Sequence, residues 1–359
     1  MNNANDEIKK IRWVYEQYTR KLEQVKGFVD TTNSQKKFIE YAEVNLQPYT
    51  PFISEYTEQL KKISNSVVLY NAVIISVYGS FELYVDEILK AYIEYLKSRS
   101  MLFENLPPKL QVKQLDKSAE FLSKPKLFQN YGLTNEQVIS SLEATIIRNQ
   151  VVDVNEKLLI SHGGNLKTKQ LGELLGEFGF EDASAKLKKN ISLRQFSQGM
   201  GFDEDVILSN GFPLLDTIVE ERNKVAHGWR IDDRISFDLL LDKYIPFFNF
   251  LCKAINDLLI SQIIQNEIDE NRVLAFDDII KTWNNGKIIG INSKQFSLHV
   301  GDVLYYTTPD DWNYPFEIIG LKNDSKSRKY IRTKNKDITI ETDIKIKENY
   351  RIWCSNVLV

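Results

Sequence analysis

The chain has 359 residues, 43% apolar and 26% charged, with a formal charge of −3; this predicts two or three globular domains and excludes a disordered chain or a uniformly basic nucleic-acid coat. Two cysteines (Cys252, Cys354) and three scattered histidines (His162, His227, His299) exclude a disulfide framework, a cysteine-rich zinc site and a zinc-protease helix. They fit a reducing cytosol, so the expected location is cytoplasmic.

The N-terminus, MNNANDEIKKIRW, has no apolar stretch of the signal-peptide kind. Residues 1–280 read as helical, with apolar residues at three/four spacing and few glycines. Ile11–Val25, Gln35–Val44 and Pro51–Ile63 are predicted helices, and Ser64–Lys97 reads as one long, strongly apolar helix. Within it, Val67–Val85 is about long enough to cross a bilayer. Asn71, Ser76, Ser80 and Glu82 interrupt it, so a buried core helix is expected and no membrane partner. Pro107–Pro108 and Lys124–Pro125 predict irregular or short-helical structure over 98–130. Asn135–Asn149, Leu166–Phe178, Phe212–Gly228 and Ser236–Ile268 carry the remaining helical patterns. From Lys287 the pattern alternates (KIIGI, FSLHV, VLYYT, PFEIIGL, KYIRT, DITIETDIKI, YRIWC), predicting five to seven short strands in a small antiparallel barrel or sandwich.

One segment concentrates chemistry. On a helical wheel of Phe212–Arg230, Leu215, Ile218, Val219, Val225 and Ala226 cover one arc with Arg222 in its middle. A guanidinium cannot be neutralised, and an unpaired buried charge is costly. Either a carboxylate meets it, or the arc lines a wet cleft at a subunit interface. Asn223 and His227, four apart, flank the arc, and Gly228 follows as a helix stop. His227 then lies beside the partial negative charge of the helix end.

Arg222-Asn223-Lys224-Val225-Ala226-His227 resembles the Arg-Asn-x-x-x-His motif of the HEPN superfamily. Its flanks, Leu215–Glu221 and Gly228, look like the RiboL-PSP-HEPN branch, as do the run His162-Gly163-Gly164-Asn165-Leu166 leading to Leu171–Phe180 and the run Tyr78-Gly79-Ser80-Phe81-Glu82. The resemblance covers roughly residues 60–265. It implies a metal-independent endoribonuclease with one RNA cleft across a homodimer, and a toxin or effector role in bacterial anti-phage defence. Carried over by position, His227 acts at the ribose 2′-hydroxyl and the leaving 5′-oxygen, Arg222 holds the scissile phosphate, and Asn223 orients either. The products are then a 2′,3′-cyclic phosphate and a 5′-hydroxyl, and DNA is spared. Some members of the superfamily are non-catalytic, so a scaffold that dimerises and binds RNA or a protein is the alternative.

Glu82 lies at the edge of the apolar arc of its helix with Asp86 one turn on. A carboxylate there is costly unless it meets a cation, so Glu82 either faces Arg222 and sets its orientation, with Asp86 supporting, or reaches out to solvent from the arc edge. Further along, Lys322–Lys336 holds seven basic residues against Asp324; Lys326, Arg328, Lys329, Tyr330 and Arg332 could grip RNA, or form a solvated hairpin. His162 could touch RNA or be a plain loop histidine. The aromatics Tyr305, Tyr306, Trp312, Tyr314, Phe316 and Trp353 are expected mostly in the small domain's core. Asp302, Asp310 and Asp311 lack metal-loop spacing and no Walker-type glycine loop is present, so no cofactor and no metal are expected. The expected organisation is mainly α: an N-terminal helical extension over 1–60, a HEPN helical bundle over 61–268, a linker over 269–286, and a small all-β, SH3-like barrel over 287–359 offering a docking surface for a protein regulator.

Overall fold

A computed structural model describes the chain apart from residues 1–3, 46–50, 65–66, 100–101, 151–152, 201–211, 228–233, 277–278, 294–295, 324–325, 333–335 and 356–359. The chain divides into two compact units, one formed by residues 10–255 and one by 2–9 with 256–359.

The first unit is helical and centres on a core helix, Val67–Ser98. By length and composition this helix and Phe237–Asp269 are each apolar enough to cross a membrane. Here the core helix buries Ile74, Val77, Phe81, Val85, Ile88 and Leu89 inside the unit. The Phe81 ring meets Phe248 edge-on at 5.3 Å, and the Tyr84 hydroxyl donates to the carbonyl of Cys252 at 2.7 Å. Both partners lie on the final helix, Ile245–Asp269. A π-helical turn over Leu240–Tyr244 leads into it, with the Ile245 N–H donating to Leu240 O. Pro246 follows; it has no N–H to donate and its ring crowds the carbonyl four residues back, and the wider turn accommodates both.

The N-terminal helices expected over Ile11–Val25 and Gln35–Val44 are one helix, Ala4–Asn45. Its inward stripe runs Ile11, Tyr18, Leu22, Val29, then the buried polar pair Thr32 and Asn33, then Ile39. Thr32 bonds back to the carbonyl of Phe28, and Asn33 donates to Asp238 at 2.6 Å. Polar residues on the buried stripe are therefore satisfied, and the helix continues where the apolar pattern lapses. Likewise the prolines in 98–130 bracket a helix rather than break one. Pro108 starts helix Pro108–Ser123 in the first turn, where a missing N–H costs nothing, and Pro125 follows its end.

The second unit contains a curled antiparallel sheet, in the order β1 (Leu274–Ala275), β10 (Arg351–Cys354), β5 (Val303–Thr307), β6 (Asn313–Asn323), β9 (Lys336–Thr342), β3 (Ile288–Ser293) and β2 (Ile279–Trp283). β7 (Lys326–Arg328) pairs with β6, and β8 (Tyr330–Arg332) pairs with β4 (Ser297–His299). The alternation read from the sequence supplies the core: Ile289, Ile291, Leu304, Phe316, Ile318, Ile338, Ile340 and Ile352 are buried together. β1 and β2 lie inside the 269–286 stretch read as linker. Of the aromatics, Tyr305, Trp312 and Phe316 are buried, and Tyr306 stacks on Tyr314 and Tyr350 with centroids at 5.4 and 5.3 Å.

β2 and β3 are joined through Asn284, Asn285 and Gly286, all at positive φ. A Cβ on Gly286 would fall 2.4 Å from the carbonyl oxygen of Ile346. Gly286→Ala is therefore expected to destabilise the second unit by about 1–3 kcal/mol, read from the shift of the denaturant midpoint.

Candidate functional site

The motif helix, Pro213–Ala226, starts with proline in its first turn and packs on the core helix. Leu214, Leu215, Ile218 and Val219 are buried, whereas Arg222, Asn223 and Val225 are half-buried and Ala226 and His227 are exposed. The apolar arc is thus sealed within the unit over its first turns and opens at its last. His227 caps the helix, its N–H donating to the carbonyl of Asn223 at 3.0 Å. Gly228, expected as the helix stop, lies outside the described residues.

Arg222 does not ion-pair with Glu82 among the described contacts; Tyr78 stands between them. The Arg222 guanidinium lies 5.8 Å from the centre of the Tyr78 ring. The Tyr78 hydroxyl donates to Glu82 Oε1 at 2.6 Å and accepts from the Leu166 N–H at 2.7 Å. Burial, and then the bond to Glu82, hold the Tyr78 hydroxyl well above the usual phenol range, so it stays a donor. Glu82 and Arg222 are therefore both organised by one tyrosine, the first through its oxygen and the second through its π face.

A strap of residues 162–168 runs along the motif helix. Asn165 Nδ2 donates to Asn223 Oδ1 at 2.5 Å, Lys167 reaches Glu220 at 3.1 Å, and the Thr168 N–H donates to Asp216 Oδ1 at 2.7 Å. The Thr168 hydroxyl bonds both the carbonyl and the N–H of Phe212. Residues 212, 216, 220 and 223 share one helix face, so the strap is held at every turn. Asn223 Oδ1 also faces Arg222 Nη1 at 3.4 Å, which ties the amide to the guanidinium. Glu221, on the opposite side, is buried and accepts from Tyr70 at 2.8 Å and Lys224 at 2.6 Å.

Asp86 and His162 meet at the far end of the strap, with His162 Nε2 3.7 Å from Asp86 Oδ1. Burial pushes the Asp86 carboxyl up to about 6, against the pull of His162 and with Glu82 and Glu87 adding to the rise. Lys326, Arg328, Tyr330 and Arg332 belong to the second unit, exposed on β7 and β8, with Lys329 exposed between the strands. The Tyr330 ring lies 4.5 Å from that of His299. Among the described residues no three His, Cys, Asp or Glu side chains are grouped as a metal would need. Sequence reasoning named Tyr78 and Asn165 only as members of runs and missed their roles. The four-residue step from Tyr78 to Glu82 was the available signal for a hydroxyl–carboxylate bond on one helix face.

The family model for RiboL-PSP-HEPN matches residues 51–261, which include Tyr78, Glu82, Asn165, Arg222, Asn223 and His227. No curated protein matches the chain. A solved structure, the selenomethionine variant of the C-terminal domain of a Geobacillus thermoleovorans U32 peptidase, is similar at 9% identity over 22% of this chain and 96% of that one, with a TM-score of 0.20. So low a score carries no argument about fold or chemistry.

Two outcomes are expected. Tyr78→Phe keeps the ring beneath Arg222 but strips the partner from the Leu166 N–H and from Glu82, and should lower stability by about 1–3 kcal/mol in chemical unfolding. Asp86 binds its proton more tightly when folded than its ordinary value of 3.8 would allow, so wild-type stability should fall, relative to Asp86→Asn, as pH rises from 3.8 to about 6. The melting-temperature difference between the two proteins, followed against pH, should change across that window and level off above it.

Proposed function

The chain belongs to the RiboL-PSP-HEPN family, whose HEPN domains are often ribonucleases, and from that premise we propose that it is an endoribonuclease that cleaves RNA without a metal. The observation that carries the reading is Arg222, half-buried at the open end of an otherwise sealed helix face, steadied by the Tyr78 ring and Asn223, with exposed His227 in the following turn. A ring face balances a guanidinium without consuming its N–H donors, so apart from the Nη1 bond to Asn223 they remain for a phosphate.

In this mechanism a 2′-hydroxyl attacks the adjacent phosphorus, forming the new P–O bond as the bond to the 5′-oxygen breaks. One His227 takes the 2′-hydroxyl proton, and the His227 of a second copy delivers a proton to the departing 5′-oxygen. Arg222 stabilises the charge on the non-bridging oxygens. The products are a 2′,3′-cyclic phosphate and a 5′-hydroxyl. A homodimer supplies the two imidazoles, and the exposed Ala226–His227 end of the motif helix is open to such a copy. The basic residues on β7 and β8 give the second unit an RNA contact of its own, and the rest of that unit offers a surface to a protein regulator. Buried thiols at Cys252 and Cys354, not joined in a disulfide, suit the cytoplasm. The role of toxin or effector in anti-phage defence rests on family analogy alone.

The test is incubation of the purified full chain with RNA in EDTA. Cleavage is expected to persist, to leave cyclic phosphate ends, to spare a substrate with 2′-deoxyribose at the scissile position, and to fall at least about a hundredfold in both Arg222→Ala and His227→Ala, as loss of a proton-transfer group or a charge-stabilising donor predicts. RNA that is bound equally by these variants and never cut would overturn the enzyme in favour of a scaffold.

A further inference from the structure

The side-chain amide of Asn223 stands at the open end of the motif helix, and its orientation decides what it can do there. An amide oxygen repels a phosphate, whereas an amide nitrogen donates to one. Two contacts fix which end faces which way. Arg222 Nη1, which can only donate, lies 3.4 Å from Asn223 Oδ1, so the atom on that side is the oxygen. Asn165 Nδ2 donates to the same oxygen at 2.5 Å. Turning the Asn223 amide over would set nitrogen against nitrogen at both contacts.

Asn165 can hold the amide because its own place is fixed from several sides. The next residue, Leu166, is buried and donates its N–H to the Tyr78 hydroxyl at 2.7 Å. The Lys167 N–H donates to the Asn165 carbonyl at 2.9 Å. The Tyr78 ring lies under the Arg222 guanidinium, 5.8 Å from ring centre to carbon. Tyr78, Arg222, Asn223, Asn165 and Leu166 thus close a circuit of contacts that returns to its starting ring. The far end of the Asn223 amide lies outside that circuit. Its two N–H groups have no partner among the described residues, and the side chain is half-buried rather than sealed. Neutral donors beside a guanidinium suit a phosphodiester, whose non-bridging oxygens only accept.

We infer that Asn165 is a positioning residue for this site: by holding Asn223 Oδ1 it turns the Asn223 amide nitrogen towards an RNA phosphate, beside Arg222. The inference rests on the reading that this helix end holds an RNA phosphate, and not on whether the strand is then cut.

The experiment is titration of a fluorescent single-stranded RNA, 2′-O-methylated throughout and so uncleavable, with the full-length protein, followed by anisotropy at several salt concentrations. Asn223→Ala should weaken binding about tenfold, the loss of one hydrogen bond to a charged group, and Asn165→Ala at least about threefold. The double variant should bind no more weakly than Asn223→Ala alone, because Asn165 acts only through that amide. Neither substitution removes a charge, so the slope of log affinity against log salt should stay at its wild-type value, whereas Arg222→Ala should lower it by about 0.7, one phosphate contact on a single strand. A merely structural loosening of the helix end would release Arg222 as well and lower the slope in Asn165→Ala too. That result, additive losses in the double variant, or wild-type affinity in Asn165→Ala would overturn the inference while the Arg222→Ala effect stands. A wild type that does not bind the strand, or Arg222→Ala binding as tightly as wild type, would overturn the inference together with the proposed function. The expected pattern combined with no cutting of unmethylated RNA would uphold the inference and remove only the nuclease.

Discussion

The polar architecture of the helical unit turns on the hydroxyl and ring of Tyr78. A fixed positive charge on the apolar arc of the motif helix must be compensated, and a carboxylate is the ordinary way to do it. Here the compensation of Arg222 is the face of a buried ring, an attraction of about 0.5–2 kcal/mol. The difference matters for chemistry. A bidentate carboxylate would occupy two donors of the guanidinium fork, whereas a ring beneath it constrains direction and occupies none, leaving only the Nη1 bond to Asn223. The same tyrosine holds Glu82 by its hydroxyl and anchors the strap through the Leu166 N–H, so the arginine, the acid and the loop are set by one side chain.

A second tyrosine of the core helix repeats the device on the other side of the motif helix. The Tyr70 hydroxyl donates to buried Glu221, which also takes Lys224 from its own helix. Carboxylates near the motif helix are thus met by neutral donors from the core helix. Glu82 and Glu221 each accept a hydrogen bond from a tyrosine of the core helix, and neither forms an ion pair with Arg222 among the described contacts.

Much of this was legible in the residues. The spacing of Arg222, Asn223 and His227, a proline at the start of their helix and the alternation beyond Lys287 each carry a local physical meaning, and the helical and strand-rich regions follow from them. What escaped was long-range or depended on satisfied polarity. The strap bonds join residues 44 to 58 positions apart, and no periodicity reports them. Thr32 and Asn33 look like a helix break because a polar pair interrupts the stripe, yet their bonds to Phe28 and Asp238 make burial affordable. The direct pairing expected between Glu82 and Arg222 failed because a residue one turn before Glu82 took both roles. The Asn-Asn-Gly run at 284–286 is a hairpin signal of the positive-φ kind that was read as the end of a linker; with it, β2 would have been visible.

The strap also bears on how a ligand would meet the site. Asn165, Lys167 and Thr168, in a stretch that could have stayed floppy, are registered against successive turns of a helix, with Tyr78 holding Leu166 from behind. Their conformational entropy is surrendered once, as the chain folds, and little of it is left to be lost on encounter. Recognition by such a surface resembles the seating of a key more than the closing of a hand.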